Sequence, residues 1–282
     1  MKTYRSIKRI VNGMHAIDGA GVHLVRLVGH NDVRDFDPFL LFDAFDATDP
    51  ATYMKGFPWH PHRGIETVTY LIEGEIEHGD NLGNRDVIAA GDCQWMTGGS
   101  GIIHQEMPRK AKRLLGGQLW INLPAKHKMT APQYKPIVKA QIPVIEEEKA
   151  TVRVLTGQYK ATPGATQGDF VKATYLDITV KPDAEWEMDT DPVHTLFIYV
   201  LDGKAVFGHD YPRGISARNV ALFAEGDALK VRTAEHTVRF LLISGKPLRE
   251  PVAWGGPIVM NTREELEQAF DELDKGTFIR KT

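Results

Sequence analysis

Gly56-Phe57-Pro58-Trp59-His60-Pro61-His62-Arg63-Gly64-Ile65-Glu66-Thr67-Val68-Thr69-Tyr70-Leu71-Ile72-Glu73-Gly74-Glu75 holds a His-x-His segment followed by an apolar strand that closes on an acidic-Gly turn. In extended backbone, side chains two apart lie on one face, so His60 and His62 project together. Residues 67–72 have the β-branched and aromatic content of a buried strand. The same short apolar runs recur at residues 119–123, 174–180, 196–201 and 238–243. Turn signals divide them, among them Asp80-Asn81, Ala90-Gly91-Asp92, Asp202-Gly203 and Glu225-Gly226-Asp227. Many short strands at this spacing predict an all-β sandwich or barrel.

The pattern repeats. Residues 196–204, Leu-Phe-Ile-Tyr-Val-Leu-Asp-Gly-Lys, echo residues 67–75, and each run is followed by a second Gly-Asp turn (Gly91-Asp92, Gly226-Asp227). Self-similarity of this kind predicts a duplicated β domain. Pro132, Pro136 and Pro143 punctuate a boundary region, giving an expected division into residues 1–135 and 136–282. Near the C-terminus the period changes. Thr262-Arg263-Glu264-Glu265 has the form of a capping box, Leu266, Phe270 and Leu273 follow at helical spacing, and Gly276 is a fitting stop. One amphipathic helix over residues 263–275 is expected, ending the second domain.

The chain of 282 residues carries 42% hydrophobic and 25% charged residues, enough for a large core. A net charge of −3 gives no global field to recruit nucleic acid or an anionic membrane. No secretory signal or membrane-spanning run is legible, so a cytoplasmic location is expected. The single cysteine, Cys93, excludes an intramolecular disulfide and a Cys-rich zinc site, and is expected as a buried core residue. The basic run Arg109-Lys110-Ala111-Lys112-Arg113 is expected to be a solvated loop.

A second pair, His104 and Glu106 in Gly101-Ile102-Ile103-His104-Gln105-Glu106, shares the two-residue spacing of His60 and His62. Together the pairs give three imidazoles and a carboxylate on two strands, a donor set for a catalytic divalent metal with room for water, substrate or dioxygen. Glu66 has the same parity as the first pair and is an alternative carboxylate, or a group that orients a ligand. Three nitrogens and one oxygen suit Fe, Mn, Co, Ni, Cu or Zn.

The segment from His60 to Leu71 resembles the first metal motif of the pirin family. The stretch from Gly91 to Thr97, continuing through Gly101 to Met107, resembles the second. Residues 37–43 (Asp-Pro-Phe-Leu-Leu-Phe-Asp) and 251–257 (Pro-Val-Ala-Trp-Gly-Gly-Pro) extend the likeness over nearly the whole chain. The resemblance implies a bicupin, two antiparallel β-barrel domains facing each other, with one metal in the N-terminal barrel. It selects Glu106 over Glu66 as the carboxylate ligand and Fe(II) as the metal. Where the second barrel would offer ligands, this sequence has Asp189, Asp191 and His236 instead of the motif.

The resemblance further implies quercetin 2,3-dioxygenase activity, in which dioxygen opens a flavonol ring and carbon monoxide leaves. In that chemistry Glu106 would act as general base on the flavonol 3-hydroxyl. Phe42, Gln94, Trp95 and Met96 are the expected pocket lining. Two other readings remain open. One is a redox-sensitive metal-binding regulator that works through a protein partner, and the other is a metal-dependent isomerase or hydrolase.

Overall fold

The structure, a computed structural model, describes residues 2–208 and 213–280. Its first twelve strands are β1 (Ile7–Asn12), β2 (Met14–Asp18), β3 (Val22–Val28), β4 (Phe39–Ala47), β5 (Phe57–His62), β6 (Ile65–Glu73), β7 (Ile76–Asp80), β8 (Arg85–Ile88), β9 (Cys93–Thr97), β10 (Ile102–Pro108), β11 (Leu114–Asn122) and β12 (Gln133–Ile137). Eleven of these form two antiparallel sheets. The larger runs β12-β9-β6-β11-β4-β3-β2 and the smaller β5-β10-β7-β8.

The burial of β6 shows why it is central: all its residues from Ile65 to Leu71 are buried, the mark of a strand covered on both faces. On β10 burial alternates strictly, with Ile102, His104, Glu106 and Pro108 inside and the residues between them partly exposed. Between the sheets, Val22, Leu24, Phe45, Leu71, Ile76 and Leu114 form one apolar cluster. Removing a Leu, Val or Phe side chain of this kind from water is worth about 1.5–3 kcal/mol.

The second half of the chain builds another seven-stranded antiparallel sheet. Its order is β1, Asn219–Phe223, Thr195–Asp202, Val238–Gly245, Thr174–Val180, Ala150–Thr156 and Val144–Glu146. The echo between residues 67–75 and 196–204 is thus structural. Each run is a strand central to its sheet, and Gly74 (φ +95°) and Gly203 (φ +80°) both take the left-handed conformation that glycine adopts without penalty.

The two compact units do not follow a single cut near residue 135. One comprises Pro38–Lys139 together with Met14–Arg34 and Leu248–Thr282; the other comprises Ala140–Pro247 with Met1–Gly13 and Asp35–Asp37. Hydrogen bonding accounts for the exchange: β1 pairs with Asn219–Phe223, while the Val259 amide donates to the Arg63 carbonyl. The C-terminal helix, Arg263–Asp274, therefore belongs with the first unit rather than ending the second. Its capping box is complete, with the Glu265 amide donating to Thr262 Oγ1 and the Thr262 amide to Glu265 Oε2. Its apolar stripe is Leu266, Ala269 and Leu273, packed on Ile258 and Met260. Phe270, expected in that stripe, is 39% exposed, and Ala269 takes the buried position instead. Among the described residues no helix is long and apolar enough to cross a membrane.

Candidate metal centre

Register brings the two His-bearing segments together. β5 and β10 run antiparallel, with His60 opposite His104 and His62 opposite Ile102. An irregularity between His104 and Glu106 then sets Glu106 opposite Phe57. The nitrogens of His60, His62 and His104 lie within 4.8 Å of one another. Their rings are packed accordingly, with centroids 4.3 Å apart for His60 and His104 and 5.0 Å for His62 and His104.

The hydrogen bonds around these rings fix their protonation. His60 Nδ1 lies 2.8 Å from the Pro58 carbonyl oxygen and His62 Nδ1 lies 3.1 Å from that of Pro257. A carbonyl only accepts, so both Nδ1 atoms carry a proton, which turns both Nε2 atoms toward the cluster and leaves each a lone pair in the neutral ring. Those two Nε2 atoms face each other at 3.1 Å. Burial, reinforced by the neighbouring His60 ring, pulls the His62 pKa down to about 3, so His62 itself brings no proton to the contact near neutral pH. His104 is fully buried, its pKa well below the ordinary value, and neither of its ring nitrogens has a hydrogen-bond partner among the described residues. Three converging imidazoles with facing lone pairs and an unsatisfied buried ring fit one cation among them.

Glu106 stands outside that three-imidazole cluster. Its Oε1 accepts from Gln94 Nε2 (2.6 Å) and Thr69 Oγ1 (3.1 Å), and its Oε2 from Gln118 Nε2 (3.2 Å). A carboxylate oxygen has capacity for two partners, so Oε2 keeps one lone pair for a ligand or a proton. Glu66, the alternative carboxylate, is buried and accepts from Thr97 Oγ1 at 2.8 Å.

A cavity of about 530 Å³ opens beside the cluster, lined by His60, His62, Glu106 and Gln118 and, farther along, by Trp120, Trp254, His30, Leu41, Asp43 and Arg26. None of the four expected lining residues is on this wall. Phe42 alternates with Leu41 and Asp43 and so points to the opposite face of β4. Trp95 and Met96 are buried core side chains, and Gln94 reaches Glu106 from within the barrel. The sequence reading missed Gln118, Trp120 and Arg26, which are set by strand pairing, and also His78. His78 is buried opposite Glu106 on β7, with its ring 5.4 Å from that of His104 and stacked on Tyr134. The spacing of His78 and Asp80, which lie two apart, was the available signal.

Other expectations are placed as follows. Cys93 is buried, and burial raises its thiol pKa, which makes it an unreactive core residue. Arg109 pairs with Glu75 and Glu77, and Arg113 with Asp46 and Glu73, so the basic run is locally neutralised. Asp189 is exposed and pairs with Lys2, and His236 is exposed.

Two family profiles match the chain: Pirin over residues 21–121 and the Pirin C-terminal cupin domain over residues 175–279. A pirin-like protein of Caulobacter vibrioides is 42% identical over 277 residues, covering 97% of this chain and 99% of the relative. A crystal structure of quercetin 2,3-dioxygenase from Acinetobacter baumannii superposes with a TM-score of 0.88 at 31% identity, over 97% of this chain and 98% of that one. The fold also matches a bacterial pirin from Escherichia coli in complex with nickel(II), at 18% identity and a TM-score of 0.66, over 85% of this chain and 98% of the other. With both profiles matched and its relatives covered almost end to end, the chain belongs to the pirin family and is built of two cupin domains.

Proposed function

We propose that this protein is a metal-dependent dioxygenase that opens a flavonol ring, with His60, His62, His104 and Glu106 holding one divalent metal, Fe(II) in the working enzyme. The observation that carries the reading is the His60–His62–His104 cluster itself. Its facing Nε2 atoms and the His104 ring, unpartnered among the described residues, are best satisfied by a cation, and the cluster opens on a cavity sized for a small aromatic ligand. Likeness to a solved quercetin 2,3-dioxygenase supports the substrate class. The nickel-bound relative supports a metal in this fold.

When bound, the metal supplies Lewis acidity toward a substrate oxygen and a redox-active centre for dioxygen chemistry, which favours iron over zinc. The chain's own residues do the rest. Gln94 and Thr69 fill Oε1 of Glu106 and so leave the open site of Oε2 to hold the metal before substrate arrives or, with substrate bound, to exchange that hold for the proton of the flavonol 3-hydroxyl. Trp120 packs edge-on against His62, with centroids 5.0 Å apart, and keeps water from that side of the reacting ring. The Pro257 carbonyl holds His62 in the Nδ1–H tautomer, which leaves Nε2 as its donor atom.

The test is metal analysis of the purified protein together with an aerobic quercetin assay, on wild type and His62→Ala. About one redox-active metal per chain, with turnover lost in the variant, is expected. Metal bound without turnover of any flavonol would remove the substrate assignment, and protein that cannot be loaded with metal would remove the centre.

A further inference from the structure

The far end of the cavity is charged, and strand register says how far away it is. Thr69, Gln118, Asp43 and Arg26 form one row across β6, β11, β4 and β3. Adjacent strands are about 4.8 Å apart, so Arg26 stands about 10 Å along the sheet from Gln118, the residue that touches Glu106. Aromatic rings line the path. Trp120 contacts His62, Trp254 lies 5.8 Å from Trp120, and His30 stacks on Trp254 at 3.7 Å. A planar ligand anchored beside the imidazoles would lie along this wall with its distal edge at Arg26.

The state of Arg26 defines what that edge must carry. Its Nε donates to Asp43 Oδ1 (3.0 Å), and its Nη2 donates to Asp43 Oδ2 (2.8 Å) and Asp18 Oδ2 (2.7 Å). Nη1 makes no hydrogen bond among the described residues, and Arg26 lines the cavity. The guanidinium is therefore locked in orientation by two carboxylates while keeping donors to spare. One cation between two carboxylates leaves the group with a net charge of −1, which repels a carboxylate or phosphate. A neutral hydroxyl suits it, since it can accept from Nη1 and donate to a carboxylate oxygen.

We infer that Arg26, braced by Asp43 and Asp18, is a specificity-determining residue that receives an uncharged hydroxyl on the end of an aromatic substrate remote from the metal centre. This rests on the flavonol reading above and adds which flavonols are taken: those hydroxylated on the distal ring.

The experiment is an oxygen-free titration of the metal-loaded full-length protein with quercetin and with 3-hydroxyflavone, which lacks the distal hydroxyls. Wild type should prefer quercetin by roughly tenfold or more, because a site built for a hydroxyl rejects the analogue without it. In Arg26→Gln/Asp43→Asn, which removes both charges together, the preference should collapse while 3-hydroxyflavone affinity and metal content stay the same. Should that variant not fold, Arg26→Lys keeps a cation against Asp43 but loses the fork, and should lose most of the preference. An undiminished preference in whichever variant folds, or none in wild type, overturns the inference and leaves the flavonol reading standing. Failure of loaded wild type to bind either compound overturns the flavonol reading, and the role of Arg26 falls with it.

Discussion

His62 is buried without charge, and this ties the stability of the metal-free protein to pH. Its pKa is about 3 in the folded chain against an ordinary value of 6.5, so between those limits the unfolded chain binds a proton that the folded one refuses. Stability should be unaffected by this group above pH 6.5 and should fall as pH drops from 6.5 toward 3, by about 1.4 kcal/mol per unit. The buried His104, lowered in the same direction, steepens the loss. Urea denaturation of metal-free protein across this range checks the prediction, and a stability that is flat from pH 7 to pH 4 would contradict it. Glu106 offers a separate test. Glu106→Gln keeps the shape of the side chain but removes the proposed base, which is also a proposed metal ligand, so flavonol turnover should fall at least roughly 10²- to 10⁴-fold. The amide nitrogen set against the Gln118 or Gln94 donor should lower the melting temperature modestly. Turnover within a factor of about two of wild type would show that another group takes the proton.

At the scale of the strand, the parity of β10 was legible because His104 and Glu106, its two candidate ligands, lie on the one buried face of a strictly alternating strand. The fold class was legible too: residues 174–180 and 196–201 are short apolar runs buried almost throughout, and their turns carry the residues that turns require. What could not be read is everything that depends on which strands become neighbours. Leu41 and Asp43 reach the cavity while Phe42 does not, and one residue of register decides it. Arg26 meets Asp43 only because β3 pairs with β4. Gly64, between the two metal-motif strands, shows how tightly this local structure is held. It sits at φ +77°, and a Cβ there would run into the Val259 carbonyl oxygen, to which Lys128 Nζ also donates (2.9 Å). Gly64→Ala should cost more than the roughly 1–2 kcal/mol of a left-handed alanine, because the Val259 strand must also move. It should lower both the melting temperature and the retention of metal during dialysis; an unchanged melting temperature would mean that the β5–β6 corner can relax freely.

Across the molecule, the exchange of chain ends between the two units makes the metal centre depend on residues nearly 200 positions from its ligands. Leu248–Thr282 packs with the first unit, and from it come the Pro257 carbonyl that fixes His62 and the Trp254 ring on the cavity wall. The same segment satisfies Arg63, the fully buried neighbour of His62. Arg63 donates to the Phe278 carbonyl (2.9 Å), pairs with Glu272 (2.7 Å) and lies over the Phe278 ring. Ending the chain after Pro247 would strand that guanidinium beside the metal ligands, and breaking a buried pair in this way costs about 3–5 kcal/mol before lost packing is added. The truncated protein should therefore fail to retain metal even though the proposed ligands His60, His62, His104 and Glu106 are all present. Glu272→Ala separates the two contributions, since it removes the ion pair but leaves the Pro257 and Phe278 carbonyls in place. It should lower thermal stability while metal stoichiometry remains near wild type. If the truncated chain instead binds metal as tightly as the full one, the ligand-bearing strands hold their own geometry and the C-terminal segment contributes only to the cavity wall.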